Sequence, residues 1–302
     1  MVYELLKDFC ISNNIEIRFN EPMSKHVSLR IGGMSDIAIF PDETNIAEVI
    51  GMLVDSNIPY IVIGGGTNIL IRDKGIEGAV IFTKRINKIT DYPSSKEIYA
   101  QAGASLQGII NLCVEKGLSG IEGLAGIPGS IGGAIAGNAG SFGYEIKDVI
   151  KSIDILIKEV GIRTLMADQI VFSYRKADIP VDAVILSARL RFKEDEPNEV
   201  KKRVSEFIKE KKSRQPVSEA SAGCVFKNPR HIAAGRLIDE AGCKGMRVGG
   251  IEVSSLHANF FINTGEGTAD DFLMLMDKVS KRVKDRFGIV LEPEIKIYGR
   301  DS

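Results

Sequence analysis

The sequence predicts a mixed fold, α+β or α/β rather than all-α. Two observations carry that reading. Apolar residues recur at helical spacing in several short segments, and between them lie short runs that alternate or stay apolar as strands do. A third observation narrows it. No 20–50-residue repeat recurs, so a solenoid is not indicated.

Taken in order, Val2, Leu5, Leu6, Phe9 and Cys10 form a helical stripe, and Asn13-Asn14 is a natural stop. Ile15–Phe19 and Asp36–Phe40 read as strands. A helix follows Pro41, with Ile46, Val49, Ile50, Leu53 and Val54 on one face. Pro59–Ile63 is a buried-type strand that runs straight into Gly64-Gly65-Gly66. Ala79–Phe82 and Glu97–Ala102 are further strands. Ser105 then caps a helix carrying Leu106, Ile109, Ile110, Cys113 and Val114. Beyond a glycine-rich window, Ile153, Ile155 and Ile157 alternate, and Ala183–Phe192 is another strand. The charged stretch Lys193–Pro197 marks a domain boundary. A helix with Val200, Val204, Phe207 and Ile208 follows. The last part holds helices at Ala233–Glu240 and Ala269–Phe287. Its strands are expected near Arg247–Val253, His257–Ile262 and Ile289–Ile297.

A length of 302 residues suggests about two domains. With 39 basic against 40 acidic residues the charge is nearly balanced, which disfavours nucleic-acid binding. The four cysteines are scattered, with no CxxC and no Cys/His cluster, so no metal site is expected. Met1–Cys10 lacks a secretory apolar region, and no 18-residue apolar run exists to insert in a membrane. The expectation is a cytoplasmic protein.

Glycine is the compositional oddity. The chain has 31, where average usage gives about 21. Gly117, Gly120, Gly123, Gly126, Gly129 and Gly132 recur every third residue, but the run ends there and includes only Pro128, so it is not collagen. IVIGGGTNI (61–69) is a strand feeding bare backbone, able to aim N–H groups at a phosphate or simply to turn. GLAGIPGSIGGAIAGNAGSFG (123–143) reads as too glycine-rich for a helix. Close approach to a large flat or phosphorylated ligand explains it better than side-chain packing. Neither GxxxxGK[ST] nor a strand-borne GxGxxG is present. Two separated glycine loops suggest one cofactor long enough to touch both.

IGGGTNIL (63–70) and GIPGSIGGAIAGNAG (126–140) resemble the flavin loops of the vanillyl-alcohol-oxidase-type FAD fold. SLRIGG (28–33), SYR (173–175), SAGCVFKNP (221–229), HANFFIN (257–263) and LEPEIKIYG (291–299) narrow the resemblance to the UDP-N-acetylenolpyruvoylglucosamine reductases, in their shorter type II form. The resemblance implies an α+β fold with residues 1–194 binding FAD, in subdomains of about 1–85 and 86–194, and 195–302 binding substrate. It places FAD between the subdomains, held non-covalently, since no histidine sits in either loop. It implies cofactor contacts at Gly64, Gly65, Gly66, Thr67, Asn68, Gly126, Ile127, Pro128, Gly129, Gly132, Gly133, Asn138 and Gly140.

The resemblance also implies the chemistry. NADPH reduces FAD, and a hydride then adds to the enolpyruvyl double bond of a UDP-sugar, leaving enolate charge and requiring one proton. Arg175 matches the active-site arginine. By spacing alone, a surface ion pair would be the stronger reading. Glu294 matches the catalytic glutamate, although strand alternation cannot separate it from Glu292. Cys224 stands where better-known members carry a serine. A thiol, with an unperturbed pKa near 8.5, is mostly protonated at neutral pH and can donate. Tyr174, Arg214, Lys227, Asn228, His257, Asn259 and Lys296 are the implied substrate contacts. Two other readings stay open: a different flavin oxidase on the same fold, and a non-catalytic nucleotide-sugar or flavin binder.

Overall fold

A computed structural model describes residues 2–158, 160–180 and 182–301. The helices are α1 (Val2–Ser12), α2 (Ile46–Asp55), α3 (Leu106–Lys116), α4 (Ile131–Ala136), α5 (Pro197–Arg214), α6 (Ala234–Glu240) and α7 (Ala269–Phe287). The bounds of α7 agree with the sequence expectation because both ends carry local signals. Thr268 Oγ1 accepts from Asp271 N at 3.0 Å, Asp271 returns a bond to Thr268 N, and Gly288 closes the helix in the left-handed region.

The chain divides into two compact units, and the division is interleaved. Unit one holds residues 1–18, 37–65 and 78–210; unit two holds 19–36, 66–77 and 211–302. This differs from the expected cut at residue 195. The physical reason lies within unit two, where Ile69–Ile71 pairs in parallel with Lys296–Tyr298, tying an early segment to the end of the chain.

Unit one contains a five-stranded antiparallel sheet in the order Gly161–Met166, Ile150–Ile157, Val184–Arg191, Glu97–Gln101, Ile89–Tyr92. Its apolar face packs with α3 and α4 around Ile98, Ile109, Leu124, Ile135, Ile153 and Leu190. A second core gathers Leu6, Ile37, Ile39, Val49, Leu53 and Ile81. There Tyr60–Ile63, half-buried but for Ile63, runs parallel to the largely buried Ile76–Phe82 and delivers the first glycine loop.

Unit two contains an antiparallel sheet in the order Ser221–Cys224, Phe260–Asn263, Ile251–Val253, Arg247–Val248. Its core joins Phe226, Phe261 and Phe272 with Leu29, Ile31 and Leu70 from the early segments. In place of the expected strand over Ile289–Ile297 there is a short strand, Lys296–Tyr298, preceded by an isolated bridge between Phe226 and Pro293. Among the described residues no helix is long and apolar enough to cross a membrane.

Candidate active site

The two glycine segments meet within unit one. A Cβ built on Gly64 would lie 2.1 Å from Ser130 Oγ, and one on Gly65 would lie 2.7 Å from Gly129 Cα. These loops therefore pack backbone against backbone. Packing of one loop on the other accounts for part of the glycine, at Gly64 and Gly65. Other members of the period-three run have separate local causes. Gly117 ends α3 in the left-handed region, and Gly132 abuts Ala102. A correction concerns α4. Glycine propensity argued against any helix in this window, yet Ile131–Ala136 is helical. Ser130 caps it, and Ile131 N and Gly132 N bond to Ala104 O and Ala102 O. Tertiary bonds outweigh the propensity cost of about 1 kcal/mol per glycine.

The outer side of these loops stays open. Gly65, Pro128 and Gly133 are exposed, and Gly126, Ile127 and Gly129 are half-buried. The ledge is held rigidly from behind, where Leu106 N donates to Gly129 O at 3.1 Å and Gly126 N to Gln107 Oε1 at 3.1 Å. Three buried oxygens in unit one, Thr83 Oγ1, Asp91 Oδ1 and Asn138 Oδ1, have no partner among the described residues. Bare backbone beside buried, unsatisfied polar atoms fits a flavin dinucleotide, whose diphosphate and ring edges offer both donors and acceptors.

Arg175 occupies the second position of the two-residue loop between Val171–Ser173 and Lys176–Asp178. Its φ of 59° lies in the left-handed region, an uncommon conformation for an arginine. The hairpin is strapped to the second glycine segment twice. Arg175 Nη1 donates to Gly140 O at 2.9 Å, and Asn138 Nδ2 donates to Ser173 O at 3.1 Å. The guanidinium lies 5.4 Å from the exposed Tyr174 ring.

In unit two, Phe226 bridges to Pro293, with Val225 O accepting from Glu294 N and Glu292 O from Lys227 N, both at 2.8 Å. Cys224 and Glu294 thus sit on neighbouring backbone segments, both half-buried. The two glutamates that spacing could not separate now differ. Glu292 is 70% exposed and ion-paired with Lys227, whereas Glu294 is turned further into the protein. The Gly66–Asn68 part of the first glycine loop belongs to this unit. Asn68 Nδ2 approaches Glu294 O at 3.4 Å, and Asn68 O accepts from Lys296 N at 3.1 Å.

Cys224 is the half-buried cysteine; Cys10, Cys113 and Cys243 are buried. Burial pushes the Cys10 thiol to about 11 and raises those of Cys113 and Cys243, so all three are poor proton donors at neutral pH.

Two of the implied substrate contacts hold backbone. Asn259 is 2% exposed, and both ends of its carboxamide clamp Phe226, with Oδ1 accepting from Phe226 N and Nδ2 donating to Phe226 O. Asn228 Oδ1 accepts from Ala234 N at the start of α6. Burial, reinforced by Lys244, holds His257 below the usual histidine range, and its Nδ1 accepts from Asn259 N. Arg214 and Lys296 are exposed. Sequence reasoning missed Ser28, whose N–H donates to Gly66 O at 2.9 Å and whose hydroxyl donates to Ser221 O at 2.6 Å. It also missed Thr83 and Ser130. Only Ser130 carried a readable signal, as a helix cap.

Comparison with known proteins agrees with this layout. Residues 36–163 match the family described as FAD binding domain, and residues 215–298 match the C-terminal domain of UDP-N-acetylenolpyruvoylglucosamine reductase. Curated reductases of that name are similar along nearly their whole length. The chain is 34% identical to that of Syntrophus aciditrophicus, covering 99% of both chains. It is 39% identical to that of Clostridioides difficile, covering 95% of this chain and 94% of the other. The crystal structure of the Thermus caldophilus reductase superposes with a TM-score of 0.80 at 30% identity, covering 94% of this chain and 99% of the other. The α+β fold of vanillyl-alcohol-oxidase type and the FAD cofactor expected from the sequence are borne out.

Proposed function

This chain belongs to the UDP-N-acetylenolpyruvoylglucosamine reductase family, and on that premise we propose that it uses NADPH to reduce UDP-N-acetylglucosamine enolpyruvate to UDP-N-acetylmuramate. The product feeds peptidoglycan precursor synthesis in the cytoplasm. When bound, FAD would supply the two-electron hydride chemistry that links NADPH to the substrate. Gly64, Gly65, Gly126, Ile127, Pro128, Gly129, Gly132, Gly133, Asn138 and Gly140 in unit one would hold it. Gly66, Thr67 and Asn68 in unit two complete the set.

The substrate is CH2=C(OR)–COO⁻. Hydride arriving at the CH2 carbon leaves an electron pair delocalised from the α-carbon into the carboxylate. Arg175 carries a permanent charge and a fork of donors, suited to that growing negative charge. Glu294, set on the backbone beside Val225, orients the reacting end of the substrate. The Cys224 thiol gives its proton to the α-carbon and becomes a thiolate, which solvent reprotonates. Lys227 and Lys296 supply positive charge for the diphosphate, with Tyr174 and Arg214 as further contacts. Asn259, Asn228 and His257 act as positioning residues.

The observation that supports this reading is the backbone pairing of the segment after Cys224 with the segment carrying Glu294, in which Val225 O accepts from Glu294 N and Phe226 bridges to Pro293. The test uses FAD-loaded protein. NADPH should be consumed when the enolpyruvyl UDP-sugar is added. Cys224→Ala should still let NADPH bleach the flavin but should block substrate reduction. Normal turnover in that variant removes Cys224 from the mechanism, and no NADPH consumption by the loaded wild type favours a binder.

A further inference from the structure

We propose that the Thr83 hydroxyl is a cofactor ligand that donates a hydrogen bond to a phosphate oxygen of bound FAD. Thr83 is the first residue after the strand Ile76–Phe82 in unit one and is 3% exposed. Its Oγ1 is fully buried and has no partner among the described residues. A hydroxyl left in that state is costly, and valine would fill the same volume without the cost. The preceding residues Ala79–Phe82 are all apolar and buried, and the threonine follows directly on that run.

The backbone that carries this side chain is held in place. Thr83 O accepts from Ile86 N at 2.9 Å. The same oxygen stands 1.8 Å from where a Cβ on Gly103 would sit, so glycine there lets a second backbone segment close against it. The residue is boxed from the backbone side.

What the hydroxyl faces is the first glycine loop. A Cβ placed on Gly64 would lie 3.8 Å from Thr83 Oγ1 and 2.1 Å from Ser130 Oγ. Two hydroxyls therefore flank the same side of Gly64. That of Ser130 accepts from Gly133 N as the cap of α4. That of Thr83 has no such task. Next to it, Gly65 is exposed. A hydroxyl donor beside bare glycine backbone is chemistry for an anionic oxygen, which points to the diphosphate rather than the apolar ring.

This assignment rests on unit one being the FAD-binding part of the chain. Thr83→Val and Thr83→Ser, each as full-length FAD-loaded protein, test it by FAD release on dilution, read from flavin fluorescence, and by the ³¹P NMR shifts of the bound diphosphate. Loss of one charge-assisted hydrogen bond should weaken FAD binding roughly 10- to 100-fold in Thr83→Val and shift one ³¹P resonance. Thr83→Ser should stay within about threefold of wild type, because it keeps the donor. The apoprotein of Thr83→Val should melt no lower than wild type, because an unsatisfied hydroxyl has gone. Wild-type affinity and unmoved ³¹P shifts in Thr83→Val overturn the proposal. So does an apoprotein that melts lower as Val, which would mean that the hydroxyl is bonded within the protein or to a buried water. A wild-type chain that takes up no FAD overturns both this assignment and the cofactor reading beneath it.

Discussion

Alanine at Gly65 and alanine at Gly51 should move the protein in opposite directions. At Gly65 the added Cβ would sit 2.7 Å from Gly129 Cα and 3.2 Å from both Gly129 C and Ser130 N. Comfortable carbon contacts are about 3.5–4.0 Å, so the loops must part by about 1 Å. The obstacle is backbone, pinned by Leu106 N on Gly129 O and by the Ser105–Ser130 bridge, so it cannot swing aside. Overpacking of this kind costs about 1–3 kcal/mol. At Gly51, in the interior of α2, a Cβ would meet nothing within 4 Å. There the helix gains about 1 kcal/mol from alanine. Thermal melts of FAD-loaded protein, followed by circular dichroism and by released flavin fluorescence, report both. Gly65→Ala should melt lower and release FAD roughly 5- to 150-fold faster, by conversion of those energies. Gly51→Ala should melt higher with unchanged release. A Gly65→Ala protein as stable and as retentive as wild type would refute the packing of one loop on the other.

Three further outcomes are expected. Glu292→Gln loses an exposed pair worth about 0–1 kcal/mol and should turn over normally, whereas Glu294→Gln should lose most substrate reduction while keeping flavin reduction by NADPH; a worse Glu292 variant would reverse the assignment. Asn259→Ala leaves the buried Phe226 N–H and C=O without their clamp, which should cost about 2–4 kcal/mol in urea unfolding; an unchanged midpoint would deny it a positioning role. His257 is held below the ordinary histidine range, so the unfolded chain binds the extra proton first and stability falls as pH drops through about 6.5. His257→Asn should flatten that part of the urea midpoint's pH dependence between pH 7.5 and 5.5; an equally steep profile would mean other groups govern it.

Much of the fold was readable because it is written locally. Ser105 and Gly117 delimit α3, and Thr268 and Gly288 delimit α7. The strand Gly161–Met166 was missed because it is an exposed edge strand without a buried alternating face. The α4 helix was missed because propensity was weighed without the tertiary bonds from Ala102 and Ala104. In the site, the glycine loops, Arg175, Cys224 and Glu294 stood in recognisable motifs. The clamp of Asn259 on Phe226, the tether of Ser28 to Ser221 and the burial of Thr83 join residues far apart in sequence, where spacing carries no signal.

The interleaved make-up of unit two has a consequence for synthesis of the chain. Leu29, Ile31 and Leu70 belong to its core, yet they leave the ribosome long before their partners. Ile69 cannot pair with Lys296 until nearly the whole chain has been made. At ~5–20 residues per second that is a wait of roughly 10–45 s with apolar side chains uncovered. A fragment beginning near residue 195 would lack Ile69–Ile71 and those three core residues altogether. Slow translation, early termination or truncation should therefore show up first as aggregation of nascent chains rather than as a stable half-protein.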